Sequence, residues 1–242
     1  MPKPNAATFL TTLLALFVLW RSRRWALPTW ILTFGLPSLL YALFGGRTFA
    51  FRIRGKTVLV TGASSGLGKA IAIVAAKRGA KAVVIAARRK EKLQSTAKAV
   101  EALGARAVIL ELDITDFEAV EAACERTEKE LGAIGLLVNN AGSGAWKHVE
   151  ETTAEEAAKM MACPYNGAFA CTTAFVKSMV EAKEGHVLNV TSAASHGGIR
   201  GAVGYATARW AMRGFSRNLQ QDLRELGIGV TLLNAAEIVG TE

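Results

Sequence analysis

Thr57-Val58-Leu59-Val60-Thr61-Gly62-Ala63-Ser64-Ser65-Gly66-Leu67-Gly68 decides how this 242-residue chain is read. Four strand formers, Thr57 to Val60, run into Gly62, Gly66 and Gly68, and then into Lys69 to Ala76, a run of good helix formers. A strand, a glycine-rich turn and a helix N-terminus together make a cradle for a pyrophosphate. The glycines let the backbone turn tightly and approach the ligand, while free N–H groups and the helix dipole favour negative charge. The cradle's candidate contacts are Gly62, Ser64, Ser65, Gly66, Leu67 and Gly68. Alone, a Gly-x-x-x-Gly-x-Gly turn is a modest signal. Residues at fixed distances downstream give it weight.

Beyond the turn, apolar strands alternate with helical stretches. Ala82–Ala86, Ala107–Glu111, Ile134–Val138, Val187–Val190 and Val230–Leu233 read as strands. Residues 90–103, 116–131, 154–182 and 205–226 read as helices between them. That alternation predicts an α/β fold: a Rossmann-type, doubly wound parallel sheet with helices on both faces and right-handed crossovers. It occupies residues 57–242 as one domain, since a chain of this length that is 51% hydrophobic buries one sizeable core.

Charge is unevenly placed. Residues 1–56 hold Lys3, Arg21, Arg23, Arg24, Arg47, Arg52, Arg54 and Lys56 and no acid, which is +8 of the formal +9. The other 186 residues balance 21 basic against 20 acidic side chains. The excess therefore belongs to the N-terminal segment, and without a basic stripe interleaved with aromatics, nucleic acid is rejected as a partner. Cys124, Cys163 and Cys171 fit neither an even disulfide framework nor Cys-x-x-Cys spacing, and His148, His186 and His196 are scattered, so no metal site is expected.

The first 50 residues read as a hydrophobic membrane anchor, joined to the domain by a basic linker, 51–56. Residues 6–20 are almost wholly apolar; Arg21-Ser22-Arg23-Arg24 interrupts; residues 25–46 are apolar again around Pro28, Gly35 and Pro37. A spanning helix needs roughly 20 apolar residues, so the first run is short and the second long but broken. Trp20, Trp25 and Trp30, three of the five tryptophans, suit a bilayer interface. A cleaved signal peptide is the competing reading, opposed by the single Lys3 before the first run and by the lack of a small-x-small site. The preferred arrangement is a short anchor and an interfacial segment, in the endoplasmic reticulum membrane, with the domain facing the cytosol.

Nineteen residues after Gly68 the chain reads Ala87-Arg88-Arg89. An NAD site places an acid about 20 residues on, to bond the ribose 2′-hydroxyl. Two guanidiniums and no acid suit a 2′-phosphate instead, because the Arg fork matches phosphate geometry. NADP(H) bound by Arg88 is therefore favoured over NAD, the bland alternative being a solvated basic helix start.

Farther on come Asn139-Asn140-Ala141-Gly142 after a strand, then Ser192, and Tyr205 thirteen residues later. With Thr61–Gly68, this set resembles the short-chain dehydrogenase/reductase family from about Lys56 to Thr241. The resemblance implies hydride transfer between a nicotinamide and a carbonyl or alcohol. It implies that Asp113 and Ile114 flank the adenine, that Asn139 steadies the central strands, and that Asn140, Ala141 and Gly142 border the cofactor. It also implies a homodimer. A membrane anchor before such a domain resembles members acting on steroids, retinoids or long-chain keto-lipids. The residues suit that chemistry: Tyr205 as proton donor beside the carbonyl oxygen, and Ser192 as a hydrogen-bond donor to the same oxygen. In isolation Ser192 reads better as a strand-end hydroxyl capping a loop; its spacing to Tyr205 reverses that.

The chain departs from the family pattern in three places. Where the family has Lys four residues after the Tyr, this chain has Arg209, which keeps the charge and can reach a ribose but does not release a proton. Pro164 stands where a helix Asn holds a relay water; Pro supplies a kink and no side-chain hydrogen bond, and Asn166 lies on another helix face. Ala235-Ala236 replaces the usual Pro-Gly, and with the chain stopping at Glu242 the C-terminal lid and last strand are expected to be missing, through truncation or degeneration. Three functions compete: an NADP(H)-dependent oxidoreductase of a lipophilic carbonyl or alcohol at a membrane, using Ser192, Tyr205 and Arg209; a catalytically impaired nucleotide-binding scaffold or sensor; and a structural relic. The intact cradle opposes the last.

Overall fold

A computed structural model describes residues 51–236; the expected anchor at 1–50 and residues 237–242 lie outside them. The described residues form β1 (Thr57–Thr61), α1 (Gly66–Lys77), β2 (Ala82–Ala87), α2 (Lys90–Glu101), β3 (Arg106–Glu111), α3 (Phe117–Leu131) and β4 (Leu136–Asn139). Then come α4 (Ala154–Met161), α5 (Ala168–Ala182), β5 (Gly185–Ser192), α6 (Val203–Arg224) and β6 (Ile228–Ala235). All six strands are parallel, in the order β3-β2-β1-β4-β5-β6. The order reverses between β1 and β4, so a crevice opens beyond their carboxyl ends.

Every residue of β1 is buried, as a strand covered on both faces requires. Because side chains alternate along a strand, Leu59, Val84, Leu137 and Val187 meet Val120 of α3, Phe175 and Met179 of α5 and Leu223 of α6 on one side. Val58, Val60, Val83 and Ile85 meet Ala72 and Ala76 of α1 and Leu93 and Val100 of α2 on the other. The doubly wound expectation is met. No helix among the described residues is long and apolar enough to cross a membrane.

Some expected boundaries move. The helix expected at 154–182 is α4 and α5 joined by a π-helical turn, Ala162–Gly167. Pro164, buried at its centre, has no N–H for a carbonyl one turn back, and the wider i→i+5 spacing accommodates the missing donor. Ile134, expected to open β4, is buried just ahead of it. Residues 51–56, expected as a linker, pack: Phe51 and Ile53 cover the α1–α2 side of the core, and the Phe51 ring lies 5.1 Å from that of His186. Lys56 Nζ bonds Glu184 at 2.5 Å. Apolar side chains at alternate positions find a surface to bury against, so the segment does not stay free.

Behind the crevice runs a buried polar chain. Asn139 pairs in register with Asn189; its Nδ2 donates to Asn189 Oδ1 at 2.8 Å and to Thr172 Oγ1 at 2.9 Å. Asn189 Nδ2 donates onward to Ser216 Oγ at 2.9 Å. Two strands are thereby tied to α5 and α6. Replacing Asn139 by Ala strips a donor from two buried acceptors, which costs about 1–3 kcal/mol. The urea midpoint, monitored by tryptophan fluorescence, is expected to fall with an unchanged m-value; an unmoved midpoint would show that the network bears no load.

Candidate active site

The cradle is built by the ends of two strands. Gly62 turns the chain at φ +68°, a conformation that costs a side-chain-bearing residue energy. A Cβ on Gly62 would come within 2.9 Å of Ala141 Cα, and one on Gly68 would collide with the Gly62 carbonyl. Thr61 Oγ1 donates to the Val138 carbonyl at 3.2 Å and accepts from the Asn140 and Ala141 N–H groups at 3.0 Å each. Asn140 Nδ2 donates back to the Thr61 carbonyl at 2.9 Å. From behind, Thr96 Oγ1 of α2 donates to the Ala63 carbonyl at 3.0 Å.

A cavity of about 330 Å³ opens there. Its wall includes all the predicted contacts on the glycine turn (Gly62, Ser64, Ser65, Gly66, Leu67, Gly68), Arg88, Asp113, Ile114, and Asn140, Ala141 and Gly142. At the end of β2 the two guanidiniums part. Arg89 Nη2 donates to Ser64 Oγ at 3.2 Å, while Arg88, largely exposed, reaches within 3.9 Å of Asp113 Oδ2. The Asp113 carboxyl is held below its usual range, first by the Thr115 N–H at 3.0 Å, against a burial penalty, then by the Thr115 hydroxyl and the Arg88 charge.

Tyr205 and Arg209 stand one turn apart on the same face of α6. The Arg209 guanidinium carbon lies 4.9 Å from the centre of the Tyr205 ring, within cation–π range. Both side chains press on the loop after β4: a Cβ on Gly142 would lie 2.7 Å from Arg209 Nη2, and one on Gly144 would strike the Tyr205 ring. Trp146 stacks on that ring at 5.9 Å and 26° and is itself 62% exposed. Arg209 Nε is buried and has no hydrogen-bond partner among the described residues, so an acceptor brought by a ligand would satisfy it. Ser192, at the end of β5, accepts the Ala194 N–H at 3.2 Å, the loop-capping alternative for its oxygen, which leaves the hydroxyl hydrogen free to donate.

The cavity places Arg89, Thr115, Ser143 and Cys163 beside the predicted residues. Arg89 had a signal in the Arg88-Arg89 pair; Cys163 and Trp146 had none, because contact alone brings them in. Burial, foremost, raises the Cys163 thiol. Asn166 lies apart from the cavity, among Phe117, Glu121, Tyr165 and Phe169. The three cysteines are free, and among the described residues no metal-binding cluster occurs.

A family model described as short chain dehydrogenase matches residues 56–242. A dehydrogenase/reductase SDR family protein 7-like of Anopheles gambiae is 32% identical over 222 residues, covering 88% of this chain and 70% of its own length. A 3-dehydrosphinganine reductase of Danio rerio is 33% identical over 186 residues, 75% of this chain and 56% of that one. Among solved structures, a metagenomic short-chain oxidoreductase in complex with NADP aligns with a TM-score of 0.72 and 29% identity, covering 75% of this chain and 82% of its own. NAD+-bound xylitol dehydrogenase aligns with a TM-score of 0.74 and 27% identity, covering 76% and 71%. The glycine turn and the buried Arg209 donor, which has no partner among the described residues, fit a dinucleotide of the kind those two structures hold.

Gly68→Ala is expected to lower the melting temperature and to erase the thermal shift produced by added NADP(H). Gly214→Ala, in open space on α6, should leave both in place. Equal shifts in the two variants would remove the glycine turn from cofactor binding.

Proposed function

This chain belongs to the short-chain dehydrogenase family of oxidoreductases, and on that footing we propose that it moves a hydride between NADP(H) and a lipophilic carbonyl or alcohol at a membrane. One observation carries the reading: the glycine turn and the two guanidiniums line one cavity with the start of the loop after β4, and Tyr205 and Arg209 press on that same loop. In this reading Gly62, Ser64, Ser65, Gly66, Leu67 and Gly68 hold the pyrophosphate. Asp113 and Ile114 border the adenine. Asn140, Ala141, Gly142 and Arg209 border the nicotinamide ribose, with the Arg209 fork bonding its hydroxyls. The choice of NADP(H) rests on Arg88 and Arg89. The Arg88–Asp113 pair is long and exposed, hence worth little, so Arg88 can turn to a 2′-phosphate at small cost.

When bound, the nicotinamide supplies the hydride; everything else falls to the chain. Tyr205 gives its phenolic proton to the carbonyl oxygen, so carbonyl, hydride and proton together make the alcohol. Arg209, against the ring, attracts the negative charge left on the phenol oxygen. Ser192 donates its free hydrogen to the same carbonyl oxygen. Arg209 keeps its protons and Pro164 has no side chain to hold a relay water, so Tyr205 recovers its proton from solvent.

For the substrate, the exposed Trp146 ring beside Tyr205 offers an apolar wall, and a 3-dehydrosphinganine reductase is among the relatives. The similarity to the Anopheles protein covers more of this chain than lies beyond Ala50, and so reaches the apolar segment proposed as anchor. The reading assigns the chain to the endoplasmic reticulum membrane with its domain in the cytosol. A homodimer is also part of it: Phe169 of α5, nearly half exposed, clusters with Tyr165 of the π-helical turn and Phe215 of α6, rings 5.2–6.3 Å apart.

Tyr205→Phe is expected to abolish NADPH oxidation with apolar ketones while leaving NADPH affinity within about two-fold, since one hydroxyl is lost. Retained turnover would take Tyr205 out of the mechanism. Arg88→Ala should weaken NADPH by about 1–3 kcal/mol for a lost charge-assisted contact and leave NADH nearly unchanged. Calorimetry showing equal losses for both would defeat the 2′-phosphate assignment.

A further inference from the structure

The opposite end of the sheet, where the strands begin, carries a separate chemistry. No acid precedes Glu91; the first 90 residues hold 15 Lys and Arg, and the other 152 hold 14 against 20 acids. The fold gathers part of that excess. The entry segment bonds the turn between α1 and β2: the Gly55 N–H donates to the Gly79 carbonyl at 2.8 Å, and the Lys81 N–H to the Lys56 carbonyl at 2.9 Å. The Arg54 side chain runs along Gly79, about 3.5 Å from where a Cβ would stand. Arg52, Arg54, Lys77, Arg78 and Lys81 are thus drawn to one rim and are all exposed. Among the described residues none of the five has a carboxylate within ion-pair distance, whereas neighbouring Lys56 and Arg106 are paired with Glu184 and Glu130.

Part of this is ordinary. Lys77 and Arg78 end α1, where cations complement the helix dipole. Arg52, Arg54 and Lys81 precede strands, whose small dipoles ask for no cation. Like charges held together repel one another unless an anion intervenes. We propose that this rim docks the domain on an anionic lipid headgroup layer. Charge complementarity argues for that occupant, because four to eight cations beside an apolar anchor are the pattern an acidic bilayer surface attracts. Position argues for it as well. The rim starts at Arg52, six residues after the apolar run 25–46 ends, and Leu103 and Leu226, ahead of β3 and β6 at the same end of the sheet, are exposed. Nucleic acid fits less well: the rim's aromatic residue, Phe51, is turned onto His186 and offers no face for a base. Docked in this way, the domain holds its cleft off the headgroups by the length of β1, roughly 17 Å, and the dinucleotide arrives from water.

The inference rests on the membrane part of the proposed function, not on its redox part. Full-length chain is mixed with phosphatidylcholine vesicles, with and without phosphatidylserine, and sedimented. The wild type is expected to partition on the order of ten-fold more strongly to the acidic vesicles, with added salt erasing the preference. The combined substitution Arg52→Glu, Arg54→Glu, Arg78→Glu and Lys81→Glu should abolish the preference while NADPH affinity stays unchanged. Glutamine at the same four positions, a milder change, should reduce it. A control of equal charge, Lys92→Glu, Arg126→Glu, Lys159→Glu and Arg217→Glu, should keep it. Equal sedimentation of the wild type with both vesicles sinks the rim and leaves the anchor standing; sedimentation with neither sinks both. Equal loss in the control, or displacement from acidic vesicles by RNA, also overturns the proposal. NADPH turnover is scored separately, so the redox reading stands or falls alone.

Discussion

Thr61 joins the two strand ends between which the cleft opens. Its hydroxyl has one hydrogen and two lone pairs, and all are used, on the Val138 carbonyl and the Asn140 and Ala141 N–H groups. Reversal of strand order leaves the ends of β1 and β4 to diverge. With its hydrogen bonds to Val138, Asn140 and Ala141, together with the Asn140 amide on the Thr61 carbonyl, Thr61 holds the glycine turn and the loop after β4 as one piece. That loop in turn receives Tyr205 and Arg209. The glycine turn and the loop on which Tyr205 and Arg209 press are therefore joined by hydrogen bonds at the strand ends.

Behind that support, shape and chemistry come apart. A kink is a backbone property, so Pro164 sustains it through a π turn; a side-chain hydrogen bond at that position is absent because Pro has none to give. Arg209 shows the same division. Its charge and reach persist, whereas its proton is not for transfer. In the proposed mechanism a cation still faces the phenol ring, and the proton traffic falls to solvent.

In the proposed reading the two ends of the sheet attract anions by different means. At the cleft, N–H groups, a helix N-terminus and glycines allow close approach, which favours one well-shaped ligand. At the opposite rim, exposed cations act at longer range and without shape, which favours a surface. In that reading, having both on one sheet separates ligand selectivity from attachment.

Much of this molecule was legible in its residues because the signals are local or periodic. The alternation of apolar strands and helices, the strand-turn-helix at Thr57–Ala76 and the Ser192–Tyr205 spacing each lie within a short run of chain, and so the doubly wound sheet and the predicted wall of the cavity could be placed in advance. Contacts between distant residues could not. That Arg89 bonds Ser64 while Arg88 makes a long, exposed pair with Asp113, that Trp146 covers the Tyr205 ring, that Cys163 enters the cavity, and that Phe51 and Ile53 pack against the core all depend on which surfaces meet after folding. The amino-acid sequence by itself determined the sheet, the glycine cradle and the candidate phenol, since backbone geometry and side-chain period are written residue by residue. Only the tertiary structure decided which guanidinium bonds Ser64 and which aromatic ring borders Tyr205, since those outcomes arise from packing between residues 25 or more positions apart in the chain.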